Sequence, residues 1–324
     1  MIREVSARGR ARTRFFLAIF VLSWYLTSKW DSGMWRFIQL SDPHLGNQVH
    51  SARNGRLESS LIPEVVSCLR GDLAELQPDF LLVTGDIARA DSRDAVFAAR
   101  DLMDSLGTAY YPMGGSSDFR NEQARQWFTE AFGAHLPDSQ TCYSFTHKDI
   151  HVCVLDPWWL WNDGRLMPFS DGSAVAPLWS IPPEQFDWLE TDLREHAKEA
   201  TVIAVHPPAI LPQHEAIRES LARYGILRNA ELLVQRLASH AQVKLLLSGN
   251  VHAHYIARKH GLTQVVTGSL TEYPVEFRDI HVHEDRLEIQ TRGLSNAGYA
   301  SQSQLRAMEW TRGLEDDRCA VIPF

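Results

Sequence analysis

Cysteine is scarce and scattered: Cys68, Cys142, Cys153 and Cys319 form no CxxC pair among 324 residues. That excludes a disulfide framework and leaves buried or free thiols. Basic charge is also short, with 32 Lys and Arg against 40 Asp and Glu and a net charge of −8. Proteins that grip a nucleic-acid backbone usually carry a cationic excess, so no nucleic-acid partner is expected. Repeats and low-complexity tracts are missing, and apolar and charged fractions are ordinary for a globular chain. A disordered or multi-span membrane protein is therefore disfavoured, and the length suits one large core.

Long apolar runs are missing as well. The run Phe15–Leu26 is twelve residues, below the roughly 20 that cross a bilayer but within signal-peptide range. Arg3, Arg8, Arg10, Arg12 and Arg14 precede it, so residues 1–33 carry a charge of +4 and the remainder −12. Three readings follow: a signal-anchor-like extension, a chain whose true start is Met34, directly before the first strand, and, ranked last, a cleaved secretory signal. The second is preferred, which places the protein in the cytoplasm; membrane attachment is expected only if residues 15–26 anchor it.

From Trp35 the pattern alternates short apolar runs with amphipathic stretches. Strands are expected at Trp35–Ser41, Asp79–Thr84 and Thr108–Met113, with helices at Leu61–Leu76, Asp94–Leu106 and Asn121–Phe132. Strand and helix in alternation imply parallel βαβ units. A hairpin follows at Thr141–Leu155, then an ordered loop from Pro157 to Pro183 containing Trp158, Trp159, Trp161 and Trp179. Helices at Pro183–Ala197 and Asn229–His240 separate buried strands at Thr201–Val205 and Val243–Leu247. Antiparallel strands at Tyr255–Lys259, Thr263–Thr267, Pro274–His283 and Leu287–Thr291 close the domain, read as 35–294. Residues 295–324 read as a frayed tail.

Chemistry collects where these strands end. Asp42 and His44 lie two apart in FIQLSDPHLG, so one turn can aim both at a single pocket. Asp86 follows Thr84-Gly85, where glycine permits a sharp turn inward. Gly115-Ser116-Ser117-Asp118, His206-Pro-Pro208 and Gly249-Asn250-Val251-His252 end three further strands. A carboxylate and imidazole set of this kind suits Zn²⁺, Mn²⁺ or Fe²⁺. Taken singly, each segment has an ordinary structural explanation: Asp86 as a helix cap, His206 as a hydrogen-bonded core histidine.

Together, in this order, they resemble the calcineurin-like metallophosphoesterases across nearly all of 35–294. Leu155-Asp156, Trp188-Leu189 and the segment Gly268-Ser-Leu-Thr-Glu-Tyr-Pro274 add to the likeness. The resemblance implies an α/β sandwich, two facing mixed sheets flanked by helices in four αββα layers. It implies a hydrolase that cleaves a small phosphoester or nucleotide-like substrate with a metal-activated hydroxide. The first ion would be held by Asp42, His44, Asp86 and His252. The second would use Asp86, Ser116, His206 and Asn250, where the family has Asn at the first serine and His at the last position. Ser117 stands where the family places the histidine that assists the leaving group, and Asp118 keeps the acidic position beside it. One divalent ion is thus expected to bind firmly and a second weakly. The alternative is a catalytically impaired relative that binds a ligand or protein. A shifted reading, with His252 and His254 as the paired histidines, stays open here.

Overall fold

The computed structural model describes residues 34–45, 53–162, 165–168, 178–224 and 226–324. The basic N-terminal segment 1–33 lies outside them.

Two six-stranded mixed sheets hold most of the core. The first runs in the order β16 (Cys319–Pro323), β15 (Arg286–Gly293), β14 (Glu276–Val282), β1 (Trp35–Leu40), β2 (Phe80–Thr84) and β3 (Tyr110–Met113). The second runs β12 (Tyr255–Lys259), β13 (Leu262–Val266), β11 (Val243–Ser248), β9 (Ala200–Ala204), β5 (Ile150–Val154) and β4 (Tyr143–His147). Strands β1, β2 and β3 are mutually parallel, as are β5, β9, β11 and β13. Such strands are buried on both faces, and β2 and β5 read FLLVT and IHVCV with every residue buried.

The helices follow from apolar stripes at helical spacing. Helix α1 (Ile62–Leu76) buries Val65, Val66, Leu69 and Leu73. Helix α2 (Arg93–Asp104) starts at Ser92, whose hydroxyl accepts from the Ala95 amide, and α3 (Glu122–Phe132) at Asn121, which caps Ala124. Helix α4 (Pro183–Glu195) carries proline in its first turn, and α6 (Ala230–Ala238) precedes β11. Between them lies α5 (Glu215–Tyr224), which sequence pattern did not reveal.

Two expectations are corrected. The Pro157–Pro183 segment is not one loop: it contributes β6 (Trp159–Asn162), β7 (Arg165–Pro168) and β8 (Leu178–Trp179), which with β10 (Ile226–Leu227) form a four-stranded sheet. Residues 295–324 are not frayed, because α7 (Gly298–Gln304) packs beside the 53–55 turn and β16 completes the edge of the first sheet.

A polar bolt joins the sheets just below the strand ends. Gln39, fully buried on β1, donates to Thr84 Oγ1 at 3.1 Å and to the Ser248 carbonyl at 3.0 Å, and accepts from Thr267 at 2.8 Å. A buried amide satisfied this way holds β1, β2 and β11 in fixed relation. The loops that leave those strands therefore meet in one place.

Candidate metal centre

Five strand ends converge. Asp42 and His44 leave β1, Asp86 leaves β2, Ser116–Asp118 leave β3, His206 leaves β9, and Asn250 and His252 leave β11. Among the described residues, twelve non-glycine positions have positive φ, and Asp42, His44, Asp86, Asn250 and His252 are five of them. Left-handed backbone is costly for such residues, and here it turns their side chains inward at one spot. Glycines make the approach feasible. A side chain at Gly85, whose φ is +93°, would run into the His206 ring, and one at Gly115 would strike Asp86.

Asp42, His44, Asp86 and His252 each offer a ligand atom within 4.8 Å of the others. His44 Nε2 and His252 Nε2 face each other at 3.2 Å, and His252 Nε2 lies 3.3 Å from Asp42 Oδ1. His44 Nε2 is 3.8 Å from Asp86 Oδ2. His206 stands just behind, its Nε2 at 3.6 Å from both Asp42 Oδ1 and Asp86 Oδ1. Four ligands at about 2.1 Å from one ion in tetrahedral array would sit about 3.4 Å apart, so the spacing fits a cation.

Two buried atoms make the fit sharper. Asp42 Oδ1 and His206 Nε2 have no hydrogen-bond partner although both are buried. Their other atoms are committed: Asp42 Oδ2 accepts from Ser41 Oγ at 2.6 Å and the Asn250 amide at 3.0 Å, and His206 Nδ1 donates to the Thr84 carbonyl. Orphaned buried acceptors of this kind are expensive unless a cation completes them. By contrast, the cluster of His151, Cys153 and Asp192 is closed by hydrogen bonds. His151 Nε2 meets Asp192 Oδ2 at 2.7 Å, and the Cys153 thiol donates to the same oxygen at 3.1 Å.

Ser117 donates to Asp86 twice, from its amide at 2.8 Å and its hydroxyl at 3.0 Å. Ser116 is half-buried on the same turn, and Asn250 Nδ2 has no partner. Asp118 does not face the ligand cluster: it is 1% exposed, and its oxygens take the amides of Ile87, Ala88 and Gly115. It ties the β2 and β3 loops together, and burial, with Asp86 nearby, holds its carboxyl well above the usual range. His254 is turned away. Its Nδ1 accepts from the Gly268 amide, its Nε2 points at Glu276 at 3.5 Å, and burial beside Arg278 and Arg318 pushes it well down. The shifted histidine pairing is thereby discarded. Trp158 is fully buried, donating to the Gly114 carbonyl at 2.6 Å with its ring 5.6 Å from His206. It anchors the loop; the Trp161 side chain lies outside the described residues.

Sequence reasoning missed Glu272. Its Oε2 meets His252 Nδ1 at 2.7 Å, and its Oε1 takes Arg56 at 2.6 Å. The neighbouring Ser269 and Thr271 hydroxyls hold the Asp42 and Pro43 carbonyls. The signal lies in the GSLTEYP segment, where nothing local tells a bracing glutamate from a solvated one.

Burial would pull His252 down, but Glu272 and Asp42 outweigh it and push it up to about 10. Without an ion this ring keeps its proton at neutral pH, and an incoming cation must displace it. Proton and cation compete, so lowering the pH weakens binding. Mn²⁺ affinity is expected to rise up to about tenfold per pH unit between pH 7 and 9, releasing about one proton per ion. Titration calorimetry in buffers of different ionisation heat measures both; a flat affinity would contradict it.

No family model matches the chain. It is 27% identical over 229 residues to a probable cyclic nucleotide phosphodiesterase of Synechococcus sp. (strain WH7803), covering 68% of this chain and 75% of that relative. Another probable cyclic nucleotide phosphodiesterase, of Synechococcus sp. (strain ATCC 27144 / PCC 6301 / SAUG 1402/1), is 25% identical over 257 residues, with 76% and 87% covered. Among solved structures, a dimetal phosphatase from Danio rerio matches with TM-score 0.62 at 17% identity, over 81% of this chain and 97% of that one. The facing mixed sheets match the metallophosphoesterase fold, with Asp and His side chains gathered at the strand ends. The chain thus shares the metallophosphoesterase fold and is similar in sequence to these phosphodiesterases.

Proposed function

We propose that this protein hydrolyses small nucleotide-like phosphodiesters, cyclic nucleotides among them, with Asp42, His44, Asp86 and His252 holding one divalent ion. The observation that carries this reading is the pair of orphaned buried acceptors, Asp42 Oδ1 and His206 Nε2, set 3.6 Å apart among those ligands. Mn²⁺, Fe²⁺ and Zn²⁺ all suit the donor set. The second position keeps His206 and shared carboxylates but has Ser116 and Asn250, so its ion is held more weakly.

A bound divalent ion supplies Lewis-acid stabilisation of the phosphate and lowers the pKa of its water. The protein does the rest. Glu272 fixes the His252 ring, Ser117 fixes both oxygens of Asp86, and Asp118 holds the loop amides on which Ser117 rides. Ser117 has no proton to give at neutral pH comparable to an imidazolium, so stable alkoxide leaving groups are disfavoured and activated esters favoured. The alternative of an impaired binding module gains no observation of its own, since the first ligand set is complete.

Among the described residues no helix is long and apolar enough to cross a membrane. All four cysteines are free, which supports a reducing, cytoplasmic location within this proposal.

The test is turnover of bis-p-nitrophenyl phosphate and of a 3′,5′-cyclic nucleotide by Mn²⁺-loaded protein, with metal counted per chain. One firmly held ion, and turnover abolished by chelation, is the expected result. Metal-independent turnover, or none of either ester, would sink the proposal.

A further inference from the structure

We infer that Arg56 and Glu272 are positioning residues for the metal ligand His252, and that the C-terminal segment holds them in place. This rests on the metal-site reading above and adds how that site is braced from outside.

Glu272 has 1% of its side chain exposed and Arg56 14%. A buried carboxylate without a partner would be strongly disfavoured. Arg56 meets that need by placing Nε at 2.7 Å and Nη2 at 2.6 Å on the same oxygen, Oε1. The other oxygen is thereby left to His252 Nδ1 at 2.7 Å. A carboxylate on the far nitrogen of a ligating histidine fixes its ring plane and its tautomer. His252 needs this help, because its own backbone sits at φ +53° on a turn rather than on a strand.

The turn that presents Arg56 has little regular structure and is held by distant residues. Leu57 donates to the Thr271 carbonyl at 2.9 Å and Asn54 Nδ2 to the Tyr273 carbonyl at 3.1 Å, so the turn is laced onto the Glu272 loop. From the other side, Ser303 Oγ donates to the Gly55 carbonyl at 2.5 Å and the Met308 amide to Asn54 Oδ1 at 2.9 Å. Thr311 donates to the Tyr273 carbonyl at 3.1 Å, while its own carbonyl takes the His254 amide. Residues 303–311 thus clamp the Arg56 turn and the Glu272 loop against each other. The end of the chain bears on the metal ligand through two hydrogen-bonded steps.

Mn²⁺ affinity at a fixed pH tests this, together with the visible spectrum of Co²⁺-loaded protein. With proton competition at His252 corrected from the pH dependence of each protein's affinity, Glu272→Ala and Arg56→Met are expected to weaken Mn²⁺ binding by about 10–100-fold and to alter the cobalt bands. Arg56→Lys keeps the charge and should recover most of the affinity. Thr311→Val should weaken binding several-fold although it touches no ligand. A merely structural pair would lower thermal stability with the cobalt spectrum and affinity unchanged, and that result overturns the inference. If Glu272→Ala does not fold, Arg56→Met against Arg56→Lys decides. Wild-type protein that binds no Mn²⁺ removes the metal reading itself, whereas equal binding by wild type and variants removes only this step.

Discussion

Asp86→Ala is expected to remove turnover by about 10³-fold or more, some 4 kcal/mol of barrier, while leaving the protein folded. Asp86 links several parts of the site. Its carboxylate takes two bonds from Ser117, and its oxygens lie 3.6 Å from His206 and 3.8 Å from His44. On the proposed reading, removing it would take a ligand from the first ion and the shared one from the second, so metal per chain should fall to near zero. The ion-free protein should not suffer. Asp42, Asp86 and Asp118 are carboxylates within one buried neighbourhood, and part of the reason Asp118 stays protonated so high is the charge on Asp86. Deleting that charge relieves repulsion and desolvation, so the ion-free melting temperature should hold or rise. Activity lost together with stability would mean that Asp86 supports the fold instead. Retained activity would mean that the ion is held elsewhere.

The reason Asp86 could be found without coordinates is physical. Parallel strands buried on both faces need apolar runs, and a ligand at their end needs a glycine to turn on, so FLLVTGD and LLLSGNVH announce both strand and site. Other parts carry no such mark. Helix α5 lies between His206 and β10 with a mixed pattern, EAIRESLARY, that periodicity did not single out. Strand β16 alternates buried and exposed residues, but it follows an acidic run and so resembled a tail. Glu272 could not be read because its meaning depends on Arg56, 216 residues away in sequence. The role of Asp118 was also hidden, since an acidic residue beside two serines looks chemical until its three amide partners are seen. Strand ends were legible because they obey local rules. Braces were not, because they are made by distant pairs.

Restoring the family pattern should increase one kind of activity far more than another. Ser117→His, combined with Ser116→Asn and Asn250→His, is expected to raise turnover of a cyclic nucleotide by about 10²–10⁴-fold, the usual worth of a positioned general acid. Ser116 and Ser117 are only half-buried, and the Asn250 Nδ2 has no partner to lose. The cost is the Ser117 hydroxyl bond to Asp86, about 1 kcal/mol, which an imidazolium beside the same carboxylate can offset. An aryl ester leaves as a stable anion and needs no proton, so bis-p-nitrophenyl phosphate should gain much less. The ratio of the two rates is therefore the measurement, taken alongside metal content, which should rise toward two ions per chain. A uniform gain for both esters would assign the whole effect to the second ion. No gain for either, with two ions bound, would show that proton delivery to the leaving group is not what residues 116, 117 and 250 limit in this site.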